Sequence, residues 1–395
     1  MKKILATITL LLLAGAAMAQ QATPKASTNY TGGNKNYIST GMPILLIAPD
    51  AVSAGMGDVG VATNPDVYSA HWNNAKYAFI DNKSGIGLTY TPWLRNLGLS
   101  DMNLLYLAGY YKINNSSAIA AGLTYFTLGD IQHTDEEGAD KGTFMPNEFA
   151  IDVTYSMKIS DNLSLGASGR FIRDDLTNGQ DIENQSTKAA NALAADIGLY
   201  YQQDIDQKQS FAAGAHISNL GSKLSYSDDD TQNEFLPANF RFGGRYTYDA
   251  DEYNKINVMV DFNKLLVPTP PTVNEDGDVV GYYENMADYR STGSIAGVFN
   301  SFHDAPGGFK EEISEITLSL GAEYWYANTF AVRAGYFYES ANKGGRKYIT
   351  LGGGVKYNMF VIDLAYLIPT TSFGNNPLSN TIRISLALNL ANTKK

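Results

Sequence analysis

The stretch "NTIRISLALNL" at residues 380–390 sets Ile382, Ile384, Leu386, Leu388 and Leu390 on one parity and Arg383, Ser385, Ala387 and Asn389 on the other. Alternation at period two is the signature of a strand whose two faces meet different solvents. The same pattern recurs in "EFAIDVTYSMK" (148–158), "NLSLGASGRF" (162–171) and "NVMVDFN" (257–263). Working outward, strands are expected near 85–91, 102–113, 117–128, 148–158, 162–173, 192–203, 210–217, 239–249, 255–264, 313–326, 329–339, 347–357, 359–368 and 380–390.

Loop lengths separate a sandwich from a barrel. Tight turns at 114–116, 160–162, 204–209, 250–254 and 327–328 alternate with long segments at 129–147, 174–191, 218–238 and 265–312. Short turns on one side, long loops on the other and an even strand count describe a transmembrane antiparallel β-barrel of about fourteen strands, an all-β fold. Tyr110-Tyr111, Tyr200-Tyr201, Tyr246, Tyr248 and Tyr324-Trp325-Tyr326 lie at strand ends beside the tight turns. That placement suits an aromatic girdle at the membrane interface.

Residues 1–19 read as a secretory signal, with Lys2 and Lys3, an apolar run from Ile4 to Leu13 and Ala17-Met18-Ala19 before Gln20. The rest divides into an N-terminal segment over 20–84, a barrel over 85–390 and a short periplasmic tail over 391–395. The address implied is the outer membrane of a Gram-negative cell. A net charge of −11 argues against nucleic-acid binding, which needs a basic face. With no Cys in the chain, disulfide staples, thiolate metal sites and thiol nucleophiles are excluded.

A barrel of this width is too wide for its own side chains to fill and needs a plug. The segment before the first strand does not alternate. It carries "AGMGDVGVATNPD" (54–66) and "SAHWNNAKYAF" (69–79), with Gly55, Gly57 and Gly60 open to close backbone approach. Gly55, Gly57, His71, Trp72, Asn73 and Asn74 are therefore expected in a hatch inside the lumen.

A small-residue N-terminal segment, a Trp-Asn-x-Ala element and a barrel of this size resemble the FadL superfamily of outer-membrane proteins. That family's Asn-Pro-Ala stands here as Asn73-Asn74-Ala75, and loss of the proline implies a less rigid hatch. More specifically, "LTYTPWLRNL" (88–97), "FLPANFRFGGRY" (235–246), "DFNKLLVPTPP" (261–271) and "SFHDAPGGFKEEISEI" (301–316) resemble the PorV family of the type IX secretion system of Bacteroidetes-type bacteria. The resemblance implies a component that binds the C-terminal signal domain of cargo at a large outer-membrane translocon barrel. It would then deliver cargo to a sortase-like transpeptidase for attachment to lipopolysaccharide. Outer-membrane lipids are further expected partners.

Chemistry is sparse. None of the histidines, His71, His133, His216 and His303, has a partner at helical metal-site spacing, and "GASGR" (166–170) is not a nucleophile elbow. No catalytic residue, cofactor or metal site is expected. The acidic clusters at 135–137, 174–175, 228–230 and 275–278 read as solvated loop charge. The longest loop is different: Pro268, Pro270 and Pro271 stiffen an apolar run, and Phe299, Phe302 and Phe309 follow. A long loop with apolar groups is usually functional, so these six residues are the expected partner-binding surface. The rival reading is a FadL-like transporter of hydrophobic small molecules, and a surface deacylase or protease stands third.

Overall fold

The computed structural model describes residues 36–95, 98–99, 101–134, 140–177, 188–226, 233–273, 279–370 and 381–390. The signal segment 1–19, the tail 391–395 and the acidic clusters at 135–137, 228–230 and 275–278 lie outside them.

Fourteen strands form the wall: β1 (Ser84–Pro92), β2 (Asn103–Lys112), β3 (Ser117–Thr127), β4 (Asn147–Lys158), β5 (Leu163–Asp175), β6 (Ala190–Asp204), β7 (Gln209–Gly221), β8 (Asn239–Asp249), β9 (Asn254–Leu265), β10 (Ile316–Tyr326), β11 (Phe330–Tyr338), β12 (Lys347–Tyr357), β13 (Phe360–Pro369) and β14 (Ile382–Leu390). Each pairs with the next, and β14 returns to β1, closing the barrel. The seam runs antiparallel from Ser84↔Leu390 to Tyr90↔Ile384. Closure removes the free edges that would leave backbone groups unpaired in lipid.

Along β14, Ile382, Ile384 and Leu386 are exposed on the lipid side, whereas Arg383, Ser385 and Ala387 are buried inside. The alternation is thus apolar outward and polar inward. Charged wall residues pair between strands: Arg170 with Asp196 at 2.8 Å and Asp152 at 3.7 Å on its two neighbours, and Arg333 at 2.7 Å each with Glu323 on the adjacent strand and Asp363 two strands away. The β6–β7 register slips between Ala195 and Ile197. There Asp196 turns inward, accepts a 2.7 Å bond from the Asn219 amide and meets Arg170, so a side chain fills the irregularity.

Two expectations are corrected. The strand expected over 313–326 starts at Ile316, because Phe309–Ser314 forms a helix that follows Gly308 at φ 64. The girdle is only partly a girdle. Tyr111, Tyr246, Tyr248 and Tyr326 face outward, but Tyr110 and Tyr200 are buried in the lumen. Tyr110 packs on Tyr77 at 5.8 Å and Tyr200 on Phe79 at 5.7 Å. Strand parity assigns one of two adjacent aromatics to each face, so a Tyr-Tyr pair serves lipid and plug together.

The hatch fills the lumen with short pieces of helix, Pro43–Leu46, Ala51–Ala54, Ser69–Trp72 and Asn74–Phe79. It reaches both sides of the seam. The Tyr68 hydroxyl donates to the carbonyl of Leu386 at 3.0 Å and lies 3.4 Å from that of Leu88. The Ala51 amide donates to Ser385 Oγ at 2.9 Å, and Ser385 Oγ meets Thr89 Oγ1 at 2.7 Å.

Candidate functional site

Of the six expected hatch residues, Gly55, Gly57, Trp72, Asn73 and Asn74 are buried and His71 is half-buried. Asp50 caps the Ala51–Ala54 helix by accepting from the Ser53 amide at 2.9 Å, and its other oxygen accepts the indole N–H of Trp72 at 2.6 Å. Asn73 donates to the carbonyls of Val61 at 3.0 Å and Leu199 at 2.8 Å, and accepts from the Ala75 amide at 3.1 Å. Asn74 donates to Ser168 Oγ at 2.7 Å and to the Asp196 carbonyl at 3.3 Å. A proline at 74 would have no side-chain donor, so the Asn74 amide ties the hatch to the wall by bonds that proline could not make.

Gly55 and Gly57 lie against the backbones of Gly352 and Tyr336, and the Trp72 ring covers Gly60. The Gly57 amide donates to Thr350 Oγ1 at 2.8 Å, and the Gly60 and Val61 amides donate to Asp261 at 2.6 and 2.9 Å. Lys76, wholly buried, gives its ammonium to the Gly60 carbonyl and Thr63 Oγ1. His71 is packed edge-on to Trp72 at 4.8 Å. Sequence reasoning missed the wall's half of this fit. Gly166, Gly198, Gly214 and Gly335 face the plug, and a methyl on any of them would overlap hatch atoms. Glycine on the inward parity beside a plug was the available signal.

The long outer loop divides its six expected residues. Pro268 is buried and Pro270 and Pro271 are half-buried. Val267, Phe235, Tyr283 and Tyr289 form a core at the barrel mouth. The helix Ser294–Asn300 lies over it, with Gly297 close against Pro268 and Phe235. The prolines thus hold the loop down, rather than display an extended surface. Phe299, Phe302 and Phe309 stay 68%, 52% and 80% exposed, with Ile295 and Ile313 at 62% and 52%.

Charge pins the loop. Lys264 pairs with Glu312 at 3.0 Å and Glu315 at 2.5 Å, while Lys343 pairs with Glu311 at 2.6 Å and Glu315 at 2.9 Å. Asp304 accepts from the Thr269 amide at 3.0 Å. Burial, with Glu312 and Glu315 nearby, pushes its carboxyl up to about 7.

Among the described residues no group of three His, Asp or Glu is arranged to hold a metal ion. Nor is any described helix long and apolar enough to cross a membrane, which says nothing of crossing by strands.

The fold compares with a monoaromatic hydrocarbon channel, CymD, at TM-score 0.50 and 16% identity, over 88% of this chain and 99% of that one. The toluene transporter TodX of Pseudomonas putida gives TM-score 0.48 and 12% identity over 86% and 96%. At such identity the likeness to CymD is one of fold alone. No curated protein matches the chain. The family model described as type IX secretion system protein PorV matches residues 30–272, more than half the sequence. With that match on a closed outer-membrane barrel of fourteen strands, the chain belongs to the PorV family of type IX secretion system proteins.

Proposed function

We propose that this protein is a non-enzymatic receptor of the type IX secretion system. It binds the C-terminal signal domain of cargo at the translocon barrel and hands that cargo to the sortase-like attachment complex on the cell surface. Membership of the PorV family carries this reading. A leader over 1–19 that directs export is part of it. The hatch is bonded to the wall around the lumen, which suits a docking platform better than an open conduit. The docking surface assigned is the row Ile295, Phe299, Phe302, Phe309 and Ile313, since exposed aromatic clusters are typical anchors of protein contacts.

The test is affinity recovery from detergent-solubilised outer membranes. The native protein should bring down a very large barrel, a sortase-like protease and surface proteins that share a C-terminal domain. Phe299→Ser with Phe309→Ser should lose at least the cargo while the barrel still folds. Undiminished recovery by that variant would remove the loop from the docking role, and absence of all three partners from the native protein would remove the secretion reading.

The second reading, transport of hydrophobic small molecules, has a cavity of about 500 Å³ above the hatch in its favour. Against it stand the charged lumen wall and the filled register slip at Asp196.

A further inference from the structure

We propose that Glu148 and Asp174 share one proton and form a pH-sensitive clasp, which ties the outer loop after β7 to the barrel wall through Tyr226. The inference concerns how that loop is held and stands whether or not cargo docks at the mouth.

The two carboxylates lie directly opposite each other, Glu148 on β4 and Asp174 on β5, both on the inward parity. They are 6% and 1% exposed. Their surroundings are apolar. Phe126 flanks Glu148 on β3, Ala190 flanks Asp174 on β6, and Ala150 faces Ile172 at the next inward position down the wall. All four belong to the buried cluster that also holds Met42, Ile44 and Leu45 of the hatch and Leu224 of the loop.

Other inward acids of the wall have donors. Asp152 and Asp196 meet Arg170, Glu323 and Asp363 meet Arg333, and Asp261 takes the Gly60 and Val61 amides. Glu148 and Asp174 have no cation at ion-pair distance among the described residues, and Glu148 Oε2 and Asp174 Oδ1 are buried without a hydrogen-bond partner. The charged groups on the adjoining elements are placed elsewhere. Arg173 shares the outward parity of Phe171 and pairs with Asp175 at 3.3 Å, and Lys188 is exposed. Glu234 pairs with Arg290 at 3.5 Å, and Lys223 gives its ammonium to the Arg290 carbonyl at 2.6 Å.

Like charges directly opposite repel, and two carboxylates enclosed together cannot both ionise. A single proton between Oε2 and Oδ1 removes one charge and satisfies both orphaned oxygens. The charge that remains is met by Tyr226, whose hydroxyl donates to Asp174 Oδ2 at 2.5 Å. Tyr226 is itself fixed by the Lys188 amide, which donates to its carbonyl at 3.0 Å, and Leu224 and Glu234 exchange two backbone bonds of 2.9 Å close by. Opening the loop uncovers the pair to water, where both carboxylates ionise and the proton leaves. The closed loop therefore holds a proton that the open loop releases, so closure is strongest at low pH and is lost as pH rises.

The test is hydrogen exchange at the Lys188, Leu224 and Glu234 amides, on the full chain in lipid nanodiscs. After correction for intrinsic rates, protection there should fall by up to about tenfold per pH unit between about pH 6 and pH 9, one proton being released on opening. Glu148→Gln keeps the size and a hydrogen-bond donor but has no proton to lose, so its protection should not change with pH. Asp304→Asn should leave the fall in place, which separates this loop from the one over 266–315. An infrared band of a protonated carboxyl, present in the native chain and missing from Glu148→Gln, should follow the same pH course. A flat native profile would overturn the proposal, as would an unchanged fall in Glu148→Gln or its disappearance in Asp304→Asn. Recovery of protection at the high end of the range with calcium, and its loss at the low end in a chelator, would make the pair a cation site and overturn it as well. Should Glu148→Gln not fold, Tyr226→Phe decides, since it alters the loop and not the wall. Its protection should be low and flat across the range, and a fall as steep as the native one would count against the clasp.

Discussion

At the scale of single residues, Asn73 shows what the hatch depends on. Its side-chain amide bonds to Val61, Leu199 and Ala75 at once, tying two parts of the hatch to the wall. Asn73→Ala strands buried partners and should cost about 1–3 kcal/mol, measured by urea unfolding in detergent. Gly335→Ala tests the same fit from the wall side, since the new methyl would overlap the Met56 backbone. Overpacking of this kind costs about 1–3 kcal/mol, and should appear as a lower melting temperature with the strands retained. The two sites were unequally legible. Trp72-Asn73-Asn74 is conspicuous in a segment without alternation, whereas Gly335 is one small residue within an ordinary strand pattern.

At the scale of elements, the outer loop is governed by a carboxyl group that prefers its proton. Asp304 has its folded value raised to about 7 from an ordinary 3.8. Between those values the docked loop keeps a proton that the undocked loop releases, so docking is strongest below 3.8 and weakens as pH rises to about 7. Glu312 and Glu315 face Asp304, with Lys264 and Lys343 pairing the glutamates and limiting the effect. Hydrogen exchange of the backbone over 266–315 should be faster at about pH 8 than at about pH 5, after correction for intrinsic rates. Asp304→Asn should remove most of that difference. The sequence marked this loop as unusual by its length, prolines and phenylalanines. It could not show that the prolines lie underneath and the phenylalanines on top, because that division comes from Gly297 letting a helix settle on Pro268.

At the scale of the whole molecule, the architecture was legible because its signal repeats. Each strand carries a weak period-two pattern, but fourteen of them with segregated loops leave one solution. The plug was legible from barrel width and from the non-alternating segment before the first strand, whereas its bonds to wall residues such as Ser156, Asp261, Thr350 and Ser385 were not. Removing residues 36–83 should open the lumen. In planar bilayers the intact chain should be nearly non-conducting, while the shortened barrel passes ions steadily. Low conductance in a folded, shortened barrel would mean that the outer loops close the mouth by themselves.

The Tyr68 hydroxyl touches Leu88 on the first strand and, 318 residues further along the chain than Tyr68 itself, Leu386 on the last. A hatch made before any strand must wait for the final one before this bond can form. The N-terminal segment therefore works as a mandrel around which the wall is wound, and Tyr68 as the latch that engages only when winding is complete. Tyr68→Phe leaves the mandrel and removes the latch, so it should slow appearance of the heat-resistant barrel in a refolding time course more than it alters the finished product.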